Sequence, residues 1–341
     1  MTADSSTPAP GASACEGLPP WLRGIWAQLA PALATGRLPH ALLLAGPEGL
    51  GKMAFAQALG EALLCESPRP DHHACGHCRA CRLLAAGSHP DLHVVAPAEE
   101  GKAIRVDAIR ELIGFAALTP QFGGRRVLRL APAELLNVNA ANALLKTLEE
   151  PAPGSHLILV SARPARLLPT VRSRCQTIRF APPPAAEARA WLAPRCGEAD
   201  AALLLALAAG SPLRALALAG ALERRRELFR AFLDLAAGKL DAVRAAERFL
   251  AGGAPAEVAG WLAGWHHDLL RLTMAAGSAP LTNPDYAAPL ATLAARVAPQ
   301  WLVLRWDAVL ALRARLATPL NAQLAFEDFF IDWAGAAARR G

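Results

Sequence analysis

Apolar residues follow two different rhythms along this chain. Between residues 41 and 180 they come as short runs: ALLLA at 41–45, LHVVA at 92–96, RVLRLA at 126–131, HLILVS at 156–161 and QTIRF at 176–180. Runs of this length, rich in Leu, Ile and Val and bounded by turn residues, predict buried strands. Between them, KMAFAQALGEALL from Lys52 and the stretches at about 106–118 and 138–149 have helical content and spacing. Strand and helix in alternation predict a parallel sheet covered by helices.

Beyond residue 180 the rhythm changes. APPPAAEA at 181–188 is a Pro-rich break, and nothing after it resembles another buried strand. A domain boundary is expected there. From 185 to 218 the pattern predicts two or three short helices, interrupted by GSP at 210–212, and from about 223 onward longer amphipathic helices. One of these is predicted to align Trp301, Leu304, Ala308, Leu312 and Leu316 on a single apolar stripe. No internal repeat is visible.

Composition changes this picture little. With 341 residues, 53% hydrophobic and 19% charged, the chain suits two or three ordinary folded domains and excludes a disordered one. The formal charge of +6 points to acidic partners, but 31 of the 35 basic residues are Arg, a bias that GC-rich coding alone produces, so it adds little to a nucleic-acid reading. Residues 1–20 carry no basic residue and no apolar run, so they are expected to form a flexible tail and not a signal peptide, leaving the protein in the cytoplasm. Apolar stretches such as AALLLALAAG from Ala201 fall short of the roughly 20 residues a membrane span needs, so no membrane association is expected.

Two motifs carry chemistry. The first, GPEGLGK from Gly46 to Lys52, satisfies the phosphate-loop pattern G-x-x-x-x-G-K and sits between a strand and a helix, as that loop requires. Backbone N–H groups of a loop with Gly46, Gly49 and Gly51, together with the Lys52 ammonium, can hold the phosphates of ATP or ADP at a helix N-terminus. The next residue breaks the pattern. A Ser or Thr hydroxyl should bind Mg²⁺ there, and the thioether of Met53 is a poor ligand for that hard cation. Whether the loop binds a nucleotide or nothing stays open on these residues.

The second motif is C-x9-C-x2-C-x2-C, made by Cys65, Cys75, Cys78 and Cys81. Short C-x2-C steps turn neighbouring thiolates toward one ion, and four thiolates close a tetrahedral shell with no position left for water, which is the donor set of structural Zn²⁺. Reduced thiols or a disulfide pair are the alternatives. His72, His73 and His77 lie close enough in sequence to replace one sulfur but read as solvated loop residues, and Cys15, Cys175 and Cys196 as packing residues or bystanders.

Taken in order, LPHALLLAGPEGLGK, the four-cysteine insertion, SHPDLHVV, LTPQFGGRRV, ANALLKTLEEP and RSRC resemble bacterial clamp-loader subunits of the AAA+ class, and within it the delta-prime family of the DNA polymerase III holoenzyme. The resemblance is dense from about residue 20 to 182 and more diffuse up to TPLNAQLAFEDFF near the C-terminus. It implies an α/β fold: an AAA+ P-loop domain with a parallel sheet at 21–180, carrying the zinc-binding insertion at 65–81. A small helical lid domain at 181–222 and an all-α collar or oligomerisation domain at 223–341 would follow. Implied partners are motor subunits of the gamma/tau kind, a delta-like subunit, the sliding clamp and, through the assembly, primed DNA.

The resemblance also assigns residues. The strand RVLRLA ends in Asp-Glu in the motor subunits, and the matching positions here hold Ala131 and Pro132, neither of which binds a metal through its side chain. With Met53 this makes three losses, which imply a loop that does not hydrolyse nucleotide. Glu134, two residues on, either compensates for the lost acidic pair or, as expected, is a surface carboxylate. Ser161 matches the polar sensor that contacts the nucleotide or a neighbouring loop. The second sensor, an Arg in motor subunits, falls on Leu213, with Arg214 displaced by one. Arg174, in SRC, matches the arginine finger that acts on the ATP of a neighbouring subunit. Two other functions compete: an active AAA+ motor, favoured by Lys52 and the glycines, and a zinc-dependent nucleic-acid binder, disfavoured because no aromatic residues are interleaved with Arg near the cysteines.

Overall fold

A computed structural model describes residues 17–99, 101–274, 281–316, 318 and 321–336. Cys15 and most of the expected 1–20 tail lie outside these residues. The chain divides into two compact units, one holding the described residues up to 187 together with 211–214, the other 188–210 with 215 onward.

In the first unit the apolar runs form strands β1 (Ala41–Ala45), β2 (Leu92–Val95), β3 (Arg126–Leu130), β4 (Ser155–Ser161) and β5 (Gln176–Arg179). They make one parallel sheet in the order β2-β3-β4-β1-β5. β1 lies inside the sheet, and both of its faces are covered. Successive side chains of a strand point to opposite faces, so Leu42 and Leu44 pack with helices α1 (Arg23–Ala34) and α2 (Lys52–Leu64), whereas Ala41, Leu43 and Ala45 pack with α4 (Val106–Ala117) and α5 (Val138–Glu149). That double burial is why the run reads as continuous rather than alternating.

Two short helices were not marked by the apolar rhythm: α3 (Arg79–Ala85), within the cysteine module, and α6 (Pro169–Arg172). The sheet edge near β2 is tied by a buried ion pair. Arg126 Nη2 lies 3.2 Å from Asp91 Oδ1, and both side chains are almost fully enclosed. Asp91 also accepts the backbone N–H groups of Gln121 and Phe122, while Arg126 donates to the carbonyls of Phe115, Leu118 and Thr119. SHPD and GGRRV, which helped carry the resemblance, are therefore the two halves of one structural clasp.

The second unit is helical: α7 (Ala185–Cys196), α8 (Glu198–Leu207), α9 (Pro212–Leu218), α10 (Leu222–Ala236), α11 (Ala242–Leu250), α12 (Pro255–Met274), α13 (Ala287–Ala294), α14 (Pro299–Arg315) and α15 (Ala322–Trp333). Helices α7 and α9 begin in residues of the first unit. A small apolar cluster around Leu192, Leu204 and Ala215 is separate from a larger one built on Phe232, Phe249, Trp265, Phe326, Phe330 and Trp333. In the larger cluster Phe229 and Tyr286 stack with ring centroids 3.6 Å apart. Arg225 is buried beside them and held by Asp285 at 2.7 Å and Asn283 at 2.6 Å.

The predicted stripe on α14 needs correction. Leu304 is 58% exposed, and the buried residues are Leu302, Val309 and Leu312, with Trp301, Ala308 and Leu316 at the margin. The buried face is centred one residue away, because residues 302, 309 and 312 share a face while 304 lies two positions around the helix.

His266 on α12 is fully enclosed between Phe232, Phe329 and Trp333. Its Nδ1 lies 2.6 Å from the Leu262 carbonyl, which assigns the proton to that nitrogen. Burial pushes its pKa down from 6.5 to about 4. Below pH 6.5 the unfolded chain takes up a proton that the folded chain refuses until about pH 4, so stability falls as pH drops across that window. The expected loss is about 3 kcal/mol. Urea unfolding at pH 7, 5.5 and 4 tests this: His266→Leu should flatten the pH dependence, and equal dependence in both proteins would contradict it.

Candidate nucleotide loop, cysteine cluster and exposed arginine

In a parallel sheet all strand C-termini lie at one edge, where ligands of open α/β folds bind. Here that edge gathers the Gly46–Lys52 loop after β1, Glu134 in the turn after β3, Ser161 at the end of β4 and Phe180 after β5. The Gly46 N–H donates to the Ser161 carbonyl at 3.2 Å. Gly46 has φ +156°, and a Cβ there would collide with the Phe180 carbonyl; Gly49 has φ +74° and packs against Arg214, leaving no space for a side chain. The glycines are thus required by the walls of the loop, whatever occupies it.

Those walls come from this chain itself. The Trp21 indole donates to the Leu50 carbonyl at 3.0 Å, and the Leu213 N–H donates to the Gly49 carbonyl at 3.1 Å. Lys52 is buried, and its Nζ donates to the Pro47 carbonyl at 2.5 Å. Desolvation lowers the Lys52 pKa, opposed by the charges of Glu48 and Glu134. Met53 is partly buried against the α1 and α2 side of the core, so its side chain is used for packing.

Glu134 is not the surface carboxylate expected from sequence. Its Oε1 accepts the Ala162 N–H at 3.0 Å, and its Oε2 is buried without a hydrogen-bond partner. Ser161 is buried, and its hydroxyl accepts the Arg163 N–H at 3.2 Å. Ala131 is buried and Pro132 exposed. The geometry therefore brings Lys52, Glu134 and Ser161 to one edge, with the Glu134 carboxylate, four residues beyond β3, turned inward and not out to the surface.

Cys65 directly follows α2, and Cys78 caps the N-terminus of α3. The four sulfurs of Cys65, Cys75, Cys78 and Cys81 all lie within 4.8 Å of one another, with three separations of 3.7, 3.9 and 3.9 Å. A tetrahedron with Zn–S bonds of ~2.3 Å has edges of about 3.8 Å. No pair is bonded as a disulfide. N–H groups of Cys75, Cys78 and Cys81 point at the sulfurs of Cys65, Cys75 and Cys78 at 3.3–3.4 Å. The four cysteines can hold a metal ion such as zinc. His73 is not solvated as expected: its ring stacks on Trp26 at 3.9 Å, while His77 is exposed. The indole of Trp26 donates to the Asp71 carbonyl at 3.0 Å and its ring packs edge-on against Phe55 of α2. Cys175 packs into the first unit's core.

Arg174 lies elsewhere. β5 starts at Gln176, paired opposite Leu42, so the turn holding Arg174 is at the N-terminal edge of the sheet. Gly46 is four strand positions beyond Leu42, about 13 Å at ~3.3 Å per residue. Arg174 Nε donates to Glu149 Oε1 at 2.7 Å, and Nη1 donates to the Thr170 carbonyl at 3.0 Å. The pair is accessible, with side chains 35% and 49% exposed.

The comparisons with known proteins agree along nearly the whole chain. A model described as "DNA polymerase III, delta subunit" matches residues 22–184, and its C-terminal counterpart matches 219–335. The DNA polymerase III subunit delta' of Pseudomonas aeruginosa is 38% identical over 322 residues, covering 92% of this chain and 97% of that one. That of Escherichia coli is 37% identical over 317 residues, covering 92% and 94%. A gamma/tau subunit of Mycobacterium tuberculosis is 35% identical over 172 residues, covering 50% of this chain and 29% of its own length. With its five-stranded parallel sheet, its G-x-x-x-x-G-K sequence after β1 and these near full-length relatives, the chain belongs to the DNA polymerase III subunit delta' family of clamp-loader proteins.

Proposed function

We propose that this chain serves the clamp loader as a subunit that does not hydrolyse ATP, and that it lends Arg174 to the ATP site of a neighbouring motor subunit. The observation that carries this is the position of Arg174: exposed, ordered by Glu149, and at the opposite edge of the sheet from its own phosphate loop. A guanidinium so placed serves another chain's phosphates more readily than its own. Loss of the loop hydroxyl at Met53 and of acidic side chains at Ala131 and Pro132 supports the absence of turnover. Gly46, Gly49, Gly51, Lys52 and Ser161 then form a degenerate nucleotide site.

In this reading the sheet domain at 21–180, with its insertion at 65–81, and the helical lid at 181–222 are followed by the collar at 223–341, which joins the ring. The partners are gamma/tau-like and delta-like subunits, the sliding clamp and primed DNA, and the compartment is the cytoplasm. Among the described residues no single helix is long and apolar enough to cross a membrane. Reconstitution tests the assignment: ATP-dependent loading of the clamp onto primed DNA should vanish when this chain is omitted from an otherwise complete assembly. Loading that persists without it would sink the proposal.

The cysteine cluster is assigned a structural zinc ion in this reading. One equivalent of zinc should be released on denaturation, and Cys81→Ser should lose it and lower Tm. A chain purified with zinc at well under one equivalent and the same Tm as the variant would contradict the assignment.

The competing motor reading has one structural observation in its favour, the buried Oε2 of Glu134, a carboxylate whose charge acts on Lys52 and partly opposes the desolvation that lowers its pKa. Against it, no hydroxyl follows Lys52 and Met53 is committed to packing.

A further inference from the structure

Arg174 is one of many exposed arginines, and most such side chains sample several rotamers. This one is held from two sides. Glu149, the last residue of α5, accepts from its Nε through Oε1 at 2.7 Å, the same oxygen forming the ion pair with Nη2 at 2.5 Å, while Nη1 donates to the Thr170 carbonyl at 3.0 Å. Glu149 and Thr170 belong to segments that pack together, α5 against α6. A guanidinium has five N–H donors in a fixed fork. Two are engaged in hydrogen bonds here, by groups on the chain's own surface, and three remain.

We infer that Glu149 is the positioning residue for Arg174: it grips the Nε side of the guanidinium and leaves the remaining donors of the fork for an incoming phosphate. This inference rests on the proposed role of Arg174. A free Arg side chain loses rotamer entropy when fixed, and a planar fork already oriented loses less on meeting its anion. The grip is also easily adjusted, because an accessible ion pair of this kind contributes little to stability. Glu149 therefore acts on the rate through geometry and not by holding the fold together. It also gives the LEEP motif a task that sequence register alone does not reveal.

The test is a double-mutant cycle on ATP hydrolysis by the reconstituted assembly with primed DNA. Glu149→Ala should lower kcat on the order of tenfold, with KM for ATP unchanged, since misorientation of a transition-state group by even ~1 Å is costly. Glu149→Gln should recover most of the rate, because its amide oxygen still accepts from Nε. In an Arg174→Ala background, Glu149→Ala should have no further effect. An equal loss in both backgrounds, or no loss in either, would overturn the inference. If Arg174→Ala itself leaves hydrolysis unchanged, the finger role fails and this inference with it, a result distinct from failure of the Glu149 step alone.

Discussion

Replacing Arg174 by Ala in the reconstituted assembly should lower DNA-stimulated ATP hydrolysis by about 10³-fold at the site this chain faces, with binding of ATP to the motor subunits little changed. A guanidinium supplied from outside a phosphate site stabilises charge that develops only in the transition state, so its removal is felt in kcat far more than in affinity. Arg174→Lys should not rescue, because a point-charge ammonium lacks the planar fork and cannot keep the Nε contact to Glu149. Steady-state hydrolysis and equilibrium nucleotide binding on the same assemblies check both halves. A change smaller than about threefold in kcat would remove Arg174 from the transition state. Unchanged assembly in size-exclusion chromatography separates the expected result from a ring that fails to form.

The second large effect is on the fold of the sheet unit. Arg126→Leu should cost about 4 kcal/mol, since it strands the Asp91 carboxylate without its ion-pair partner and leaves the carbonyls of Phe115, Leu118 and Thr119 without their donor. Against a total stability of roughly 5–15 kcal/mol, such a loss removes a large share of it. Asp91→Asn combined with Arg126→Leu should cost less than the sum of the two, because the pair fails as one unit. Denaturant unfolding followed by circular dichroism measures this. A cost below about 1 kcal/mol for Arg126→Leu would mean the clasp is dispensable.

Much of the sheet was legible in the sequence because its strands are buried on both faces and so appear as uninterrupted apolar runs. ALLLA and QTIRF ended within a residue of the strands they predicted. Helix faces were harder. On α14 the Leu and Trp residues are spread around the helix, with Leu304 outward and Leu302 inward, so composition alone could not choose the face. Helix α3 is hidden in a segment ruled by its cysteines, whose spacing announced a metal site but not a helix beginning at Arg79.

The site was legible where a motif fixes local geometry and illegible where contacts are made at long range. Gly46 to Lys52 and the four cysteines could be placed from spacing. Glu134 could not, because its burial depends on the Ala162 N–H, 28 residues away. The same holds for Glu149 and Arg174, separated by 25 residues, and for Asp91 and Arg126, separated by 35. A charged residue inside an otherwise apolar strand, as Arg126 opens RVLRL, was the available signal that a buried partner must exist.

As proposed above, this chain is a member of the assembly which does not turn over ATP itself. This is tested most directly by measuring hydrolysis by the purified chain with Mg²⁺ and primed DNA, beside a Lys52→Ala control prepared identically. No turnover above the control is expected. Metal-dependent turnover that disappears on Lys52→Ala would contradict it.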